Sequence, residues 1–452
     1  MQDTIVAIAT PIGFGGVGVV RLSGPRSLVI AGSLWRGQAK PATQKPRQLH
    51  LGWLHEGTRQ VDQALLVSMP APHSYTGEDV VEIQTHGAPA VLDWVVTQSL
   101  SYGARLAEPG EFTKRAYLNG KIDLTQAEAV NDLIHAASLG AARAASDQLA
   151  GGLRDVIDEI RTKLIEISAA ETAWLDFGDE DIEPKPAAKL RSELTAIAKQ
   201  VATLVASAEQ TAILREGVRV ALVGLPNAGK STLLNQLLHY ERSIVTAQPG
   251  TTRDTIEEVV VIGDIPMRFV DTAGLNVATD VVEQLGVERS KEIIQATDLV
   301  ILLVAPGTLQ ATKKFLREHQ LDAALTSDNT IVVASKADLT TWRTVNWRPF
   351  ATIALSAQSG RGISSLQKRL IKLTKARASN ESALISSQRH LALLGVTQIA
   401  LNSVIQALAA KTPRDMVVSD IDNAIDALNE LAGENISQAK LDAMFSKFCI
   451  GK

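Results

Sequence analysis

The sequence predicts a multi-domain chain with an α+β N-terminal domain, a discontinuous α-helical domain and an α/β domain inserted into it. Three observations predict this. Residues 4–87 carry short β-branched or alternating runs separated by Gly, Pro and Ser. From about residue 123 the texture changes to Ala, Leu and Glu at helical spacing. Residues 216–376 alternate apolar strands with helical stretches, and helical texture returns from 381. A length of 452 residues suits about three domains at roughly 150 residues each.

In order along the chain, TIVAIAT (4–10), VGVVRLSG (17–24), RQLHLGWLH (47–55), QALLVSM (63–69) and DVVEIQTHG (79–87) read as strands. PAVLDWVVTQSLSYG (89–103) sets Leu92, Val95, Val96 and Leu100 on one helical face and stops at Gly103. Long helices follow to about Leu214, interrupted by the acidic, proline-containing connector DFGDEDIEPKP (176–186). GVRVALVGL, EEVVVIGDIPMRFVDTAG, TDLVILLVAPG, NTIVVASKADL and ATIALSA are apolar strands, several apolar enough for burial on both faces, as in a parallel sheet. Helical segments on both sides of this unit favour one discontinuous domain carrying an insertion, since insertion is tolerated where a domain's termini lie close together. Two independent bundles are the alternative. The resulting bounds are 1–120, 121–215, 216–376 and 377–452.

Composition narrows the class. Lys and Arg number 45 against 49 Asp and Glu, a net charge of −4 that excludes a polybasic nucleic-acid binder but not a local basic patch. One cysteine excludes an internal disulfide framework and a cysteine zinc cluster. No unbroken apolar run approaches the ~18 residues of a membrane span, and MQDTIVAIATPIG lacks a signal peptide's basic start. A soluble, cytoplasmic protein is expected.

Gly13-Phe-Gly15-Gly-Val-Gly18 matches the dinucleotide fingerprint G-x-G-x-x-G literally. That fingerprint needs a following helix and an acidic residue about 20 positions on. Here a strand follows, and no Asp or Glu occurs between Asp3 and Glu56. The glycines are expected to make a tight strand-to-strand turn or to admit a ligand close to the backbone.

GLPNAGKS (224–231) is G-x-x-x-x-G-K-S between an apolar strand and the helical TLLNQLLH. Glycines let backbone N–H groups curl around phosphates, and the helix N-terminus adds partial positive charge. Asn227, Ala228, Gly229, Lys230, Ser231 and Thr232 would line the phosphates, with Lys230 reaching the β- and γ-phosphates and Ser231 ligating Mg²⁺. PGTTRD (249–254) supplies Thr252 as the switch threonine for Mg²⁺. DTAG, which is Asp271, Thr272, Ala273 and Gly274, faces the metal and the γ-phosphate. In SKAD (335–338), Asp338 can accept from guanine N1–H and the 2-amino group, a donor pair that adenine lacks. Ser335, Lys336, Ser356 and Ala357 complete the base pocket. These motifs in this order predict a GTPase rather than an ATPase. Two departures stand out: Ser335 replaces the usual Asn and is expected to weaken nucleotide binding, and Leu275 stands where Ras-like proteins carry a water-orienting Gln.

The sequence resembles the MnmE (TrmE) family of tRNA-modification GTPases over its whole length. The resemblance rests on TPIGFGGVGVVRLSG (10–24), TGEDVVEIQTHG (76–87), PGEFTKRAYLNGKIDL (109–124), PNAGKS with GTTRD and DTAGL, and FCIGK (448–452). It implies a folate-binding N-terminal domain and a Ras-like G domain inserted in the helical domain. It further implies a K⁺-activated GTPase, with K⁺ held by Asn227, Thr246, Gln248 and Thr251, while Thr246, Thr251 and Thr252 also meet GTP. A cation between the phosphates would supply charge otherwise brought by an arginine finger. Alone, Asn227 reads equally well as a turn residue.

The resemblance places the water-orienting role on Glu283, which by itself could be a solvated helix-face carboxylate. It implies a site for 5,10-methylene- or 5-formyl-tetrahydrofolate at Arg21, Glu82, Lys121 and Lys452, although Arg21 and Glu82 alone read as surface or cross-strand pairs. Cys449 is a candidate one-carbon site, as nucleophile or contact, or else inert; CIGK fits a prenylation signal poorly. Implied partners are a second copy of the chain, a FAD-dependent MnmG-type protein in a heterotetramer or larger complex, and tRNA. The implied reaction installs an aminomethyl-type group at C5 of the wobble uridine. The alternative is a regulatory or ribosome-assembly GTPase acting only as a switch.

Overall fold

Alternating apolar residues build the first sheet. The computed structural model describes residues 3–177, 183, 185–240, 257–271, 294–339, 347–375, 385 and 387–451. They fall into two units, Met1–Asn131 with Gln148–Pro184 and Thr412–Lys452, and Asp132–Asp147 with Lys185–Lys411.

The first unit opens with β1 (Ile5–Ile8), β2 (Gly15–Ser23), α1 (Ser27–Leu34), β3 (Trp35–Gly37), β4 (His50–Glu56), β5 (Arg59–Met69) and β6 (Val80–Gly87), followed by α2 (Pro89–Ser101), β7 (Arg105–Leu106) and α3 (Glu111–Leu118). The sheet order is β3-β4-β5-β6-β2-β1-β7, antiparallel except for the β1–β7 pair. Val20 and Leu22 of β2, Val81 and Ile83 of β6 and Leu66 of β5 meet Ile30 and Leu34 of α1 and Leu92 and Val95 of α2 in one core. Period-2 alternation turns Arg21, Ser23 and Glu82 to the opposite face, where Ile5 and Ala7 pack with Phe112 of α3. The glycine motif makes the turn into β2, with Gly13 at φ 139°, and a strand follows it as expected.

The same unit contains α4 (Leu124–Ile134) and α5 (Leu139–Leu149) in part, and α6 (Gly152–Asp176), α12 (Arg414–Ala432) and α13 (Gln438–Phe445). Leu153, Ile157, Ile160, Leu164 and Ile167 form the buried stripe of α6, and α6 packs against α12, which buries Val417, Ile421, Ala424, Leu428 and Leu431. Polar bonds fix this pairing: Arg414 donates to Glu171 at 2.6 Å and Ser168 to Asp422 at 2.7 Å.

The second unit holds α7 (Ala187–Glu216), β8 (Val218–Val223), α8 (Lys230–Tyr240), β9 (Glu257–Ile262), β10 (Ile265–Asp271), β11 (Leu299–Val304), α9 (Leu309–Glu318), β12 (Thr330–Ala334), β13 (Ala351–Ala354), α10 (Ile363–Lys375) and α11 (Gln388–Ala409). The sheet order is β13-β12-β11-β8-β10-β9. All pairs are parallel except β9–β10, so the sheet is mixed rather than purely parallel. The run EEVVVIGDIPMRFVD is two strands reversed at Gly263 and Asp264, whose φ angles are 58° and 70°. Every residue of β11 is buried, as its unbroken apolar run requires.

Helices preceding and following the α/β segment therefore pair with one another, α6 with α12 and α7 with α11, so the helical part is discontinuous. An 18-residue window of helix α11 has a mean hydropathy of 1.6, so by length and composition this helix is apolar enough to cross a membrane. Thr397, Gln398, Asn402 and Ser403 break its apolar run, which hid it from a search for unbroken stretches. Leu394, Leu401, Val404 and Leu408 are its buried face, and it packs along α7.

Candidate functional site

Three loops meet at the C-terminal edge of the second sheet. β8 leads into the P-loop, where a Cβ on Gly224 (φ 158°) would lie 2.6 Å from the Leu303 carbonyl of the neighbouring strand, so only glycine fits. Asn227 (φ 63°) and Gly229 (φ 98°) turn the loop into α8. Lys230 is 7% exposed and donates to the carbonyls of Gly224 at 2.8 Å and Leu225 at 3.3 Å. Its ammonium is thus held within the loop, at the partially positive end of α8. Ser231 and Thr232 are exposed on the first turn, and the Asn227 side chain is exposed before it.

The base loop follows β12. Ser335 is buried; its N–H donates to the Val304 carbonyl at 2.9 Å and its hydroxyl to the Ala228 carbonyl at 2.7 Å. The serine therefore reaches the P-loop despite its short side chain, because the end of β12 lies directly beside that loop. Lys336 takes φ 55°, and Ala337 N–H donates to the Leu355 carbonyl at 3.1 Å, tying this loop to Ser356 and Ala357. Ser356 accepts from the Ser359 N–H at 3.2 Å, and Asp338 is exposed. Asp271 closes β10 opposite Leu222, at the same edge. Thr246, Gln248, Thr251, Thr252, Thr272, Ala273, Gly274 and Glu283 lie outside the described residues, as does Lys452. Ser335→Ala is expected to weaken GDP and GTP binding alike by roughly 5–10-fold, near the worth of one buried hydrogen bond. Ser335→Thr should restore affinity, and equal Kd values for wild type and the alanine variant would disprove the tether.

The first unit assembles a second cluster. Arg21 and Glu82 face each other across β2 and β6, and the Arg21 Nε donates to Glu82 at 2.8 Å. The Arg21 guanidinium stands 5.6 Å from the Phe112 ring centroid and 5.9 Å from that of Tyr75. Burial pushes the Tyr75 phenol up, against the opposing hydrogen bond with Thr113 and the charge of Arg21. Arg21 Nη1 also donates to the Gly451 carbonyl at 3.4 Å, and Gly110 N–H to that of Cys449 at 3.2 Å. The 448–451 segment thus lies against β1; a Cβ on Gly451 would meet the Ile8 carbonyl at 2.3 Å. The Cys449 side chain is exposed. Lys121 is exposed on the turn after α3, its stem beside Gly77, while Asn119 donates to the Thr76 carbonyl at 2.7 Å. Thr76 in turn bonds Ser23, which shares the face of Arg21.

Sequence reasoning missed the frame around this cluster. Arg115 is fully buried and donates to Glu111 (2.9 Å), Asp3 (2.8 Å) and Glu78 (3.1 Å), and Arg105 donates to Glu111 (2.6 Å) and Asp3 (2.7 Å). Burial raises the pKa of Glu111, but hydrogen bonds from Arg105, the Glu108 N–H and Arg115 outweigh it and hold the carboxyl below its usual range. The Glu111–Arg115 spacing of four within a helix was the readable signal. Tyr75 and Phe112 carried none.

A family model described as the MnmE helical domain matches residues 124–449, and one described as the GTP-binding protein TrmE N-terminus matches residues 4–121. The chain is 38% identical to the tRNA modification GTPase MnmE of Koribacter versatilis (strain Ellin345), covering 100% of both chains. It is 41% identical to that of Synechococcus sp. (strain JA-3-3Ab), covering 100% of this chain and 99% of the relative. Against that of Bacillus subtilis (strain 168) identity is 37%, again covering 100% of both. The P-loop, the base loop and these full-length matches agree: the chain belongs to the MnmE family of tRNA modification GTPases and is a P-loop enzyme that hydrolyses GTP.

Proposed function

We propose that the chain is a K⁺-dependent GTPase that acts as a homodimer with a FAD-containing partner on C5 of the tRNA wobble uridine, taking its carbon from a methylene-tetrahydrofolate. The observation that carries the one-carbon part is the setting of Arg21 and Glu82. An ordinary cross-strand ion pair needs neither the two rings flanking Arg21 nor the carbonyl of a distant strap against it. A carboxylate at Glu82 can accept from a pterin's 2-amino and N3–H groups with Arg21 fixing that carboxylate, while Lys121 and Lys452 suit the glutamate tail. The folate would supply a carbon at the formaldehyde or formate oxidation level, and Cys449 stands on the strap beside it. Equilibrium binding of 5-formyl-tetrahydrofolate to the full-length protein tests this, with Glu82→Ala expected to weaken it at least ~10-fold, about 1.4 kcal/mol. No saturable binding by protein with intact GTPase activity would return the chain to a pure switch. Mass analysis of tRNA nucleosides from cells lacking the protein tests the modification itself.

In the second unit, Ser231 and Thr252 would hold Mg²⁺, and Asn227, Thr246, Gln248 and Thr251 would hold K⁺. Support comes from Asn227, whose exposed side chain sits on a left-handed turn of the P-loop. The cation would supply positive charge beside the phosphates, Asn227 would orient it, and Glu283 would orient water. Hydrolysis is expected to run at least ~10-fold faster in KCl than in NaCl, about 1.4 kcal/mol of barrier. Equal rates would remove Asn227 from this role.

A further inference from the structure

A cavity of about 490 Å³ lies away from the nucleotide loops and is lined by Lys313, Leu316, Arg317, Asp322, Trp347 and Arg348. Topology fixes its place. β11 and β12 are parallel, so α9 between them runs back along the sheet and its last turn, with Arg317, reaches the N-terminal edge, opposite the P-loop. Trp347 and Arg348 reach the same edge just before β13.

The floor is built and the walls are charged. Trp347 is buried with Leu316, Leu321 and Leu325 and meets Phe350 edge-on at 6.4 Å. Lys313 Nζ stands 5.1 Å from the Trp347 ring centroid. Among the described residues, neither Lys313, Arg317 nor Arg348 makes an ion pair, whereas the adjacent Lys314 pairs with Glu318 at 3.5 Å. Asp322 is the cavity's one acidic residue among those described. Three cations with no ion-pair partner among the described residues therefore line one opening in a chain whose net charge is −4, so the positive potential is local rather than a property of the whole surface.

We propose that this cavity is a phosphate-binding site, separate from the GTP site, that takes a phosphodiester of RNA or a small phosphate-bearing molecule. Two guanidiniums suit bidentate phosphate contacts, and Lys313 adds a point charge over an apolar floor.

The test uses the full-length protein with its nucleotide site saturated with GDP, so that added anions do not report the P-loop. Inorganic phosphate is titrated by calorimetry and unfractionated tRNA by filter binding over a range of salt. For an RNA site, the Arg317→Gln/Arg348→Gln double variant should bind tRNA about tenfold more weakly, with a salt slope shallower by roughly 1.4–1.8. Its basal GTP hydrolysis should be unchanged. Loss of phosphate binding with tRNA affinity intact would assign the same site to a small phosphate compound. The proposal is overturned if both titrations are unaffected, or if Lys314→Gln, outside the cavity, weakens tRNA binding as much.

Discussion

Arg115→Ala is expected to destabilise the N-terminal unit by about 3–5 kcal/mol, the cost of removing one partner of a buried ion cluster. Arg115 has no exposed surface and binds three carboxylates from three segments: Asp3 before β1, Glu78 before β6 and Glu111 in α3. Without it, Glu78 and Glu111 remain beside each other with only Arg105 as counter-charge. The pH dependence has a definite sign. Glu111 is held below its unfolded value near 4.3, so its contribution is complete above that pH and is lost as pH falls through the folded value. Asp3 is shifted the same way, but it is half exposed and its share is screened. The deficit of the alanine variant should therefore shrink between pH 7 and pH 4, as its stranded carboxylates protonate. Hydrogen exchange in β1, β2 and β6 under rising urea measures this; a loss below about 1 kcal/mol would contradict the clamp.

Lys230→Ala should lower kcat/KM for GTP by about 10³, or ~4.1 kcal/mol, through lost stabilisation of developing phosphate charge. The P-loop itself positions the lysine, its ammonium bonded to the carbonyls of Gly224 and Leu225. Little reorganisation is then required in the transition state. Glu283→Ala should differ in kind, slowing turnover ~100-fold, or ~2.7 kcal/mol, with nucleotide affinity near normal. A Lys230 variant within tenfold of wild type would place the main electrostatic term elsewhere.

Most strands were legible because burial on one or both faces imposes a period on β1, β2, β4, β5, β6, β8, β11 and β12. What escaped depends on partners distant in sequence. SLVIAGSL carries no strong period of its own, yet it is α1, seated by its burial of Ile30 and Leu34 on the sheet. Three-residue β3 exists through pairing with β4. The Gly263-Asp264 reversal was readable as a hairpin signal and was overlooked within an apolar run. At the GTP site the motifs named the residues, but not that Ser335 binds the P-loop backbone. At the other cluster the sequence offered Arg21 and Glu82 as a cross-strand pair, which they are; the rings and strap around them come from residues far along the chain.

That distance bears on biosynthesis. Tyr117 bonds the Gly433 carbonyl, Lys114 bonds Asp442, and Arg21 bonds the Gly451 carbonyl, across sequence separations of 316, 328 and 430 residues. At roughly 5–20 residues per second, a ribosome needs on the order of 16–65 seconds to make the ~320 residues between α3 and these partners. For that interval Leu124 and Ala127 await Leu441, Phe445 and Phe448. Nascent chains stalled within the G domain should therefore present an uncapped apolar surface to holding chaperones, even with the first sheet already paired.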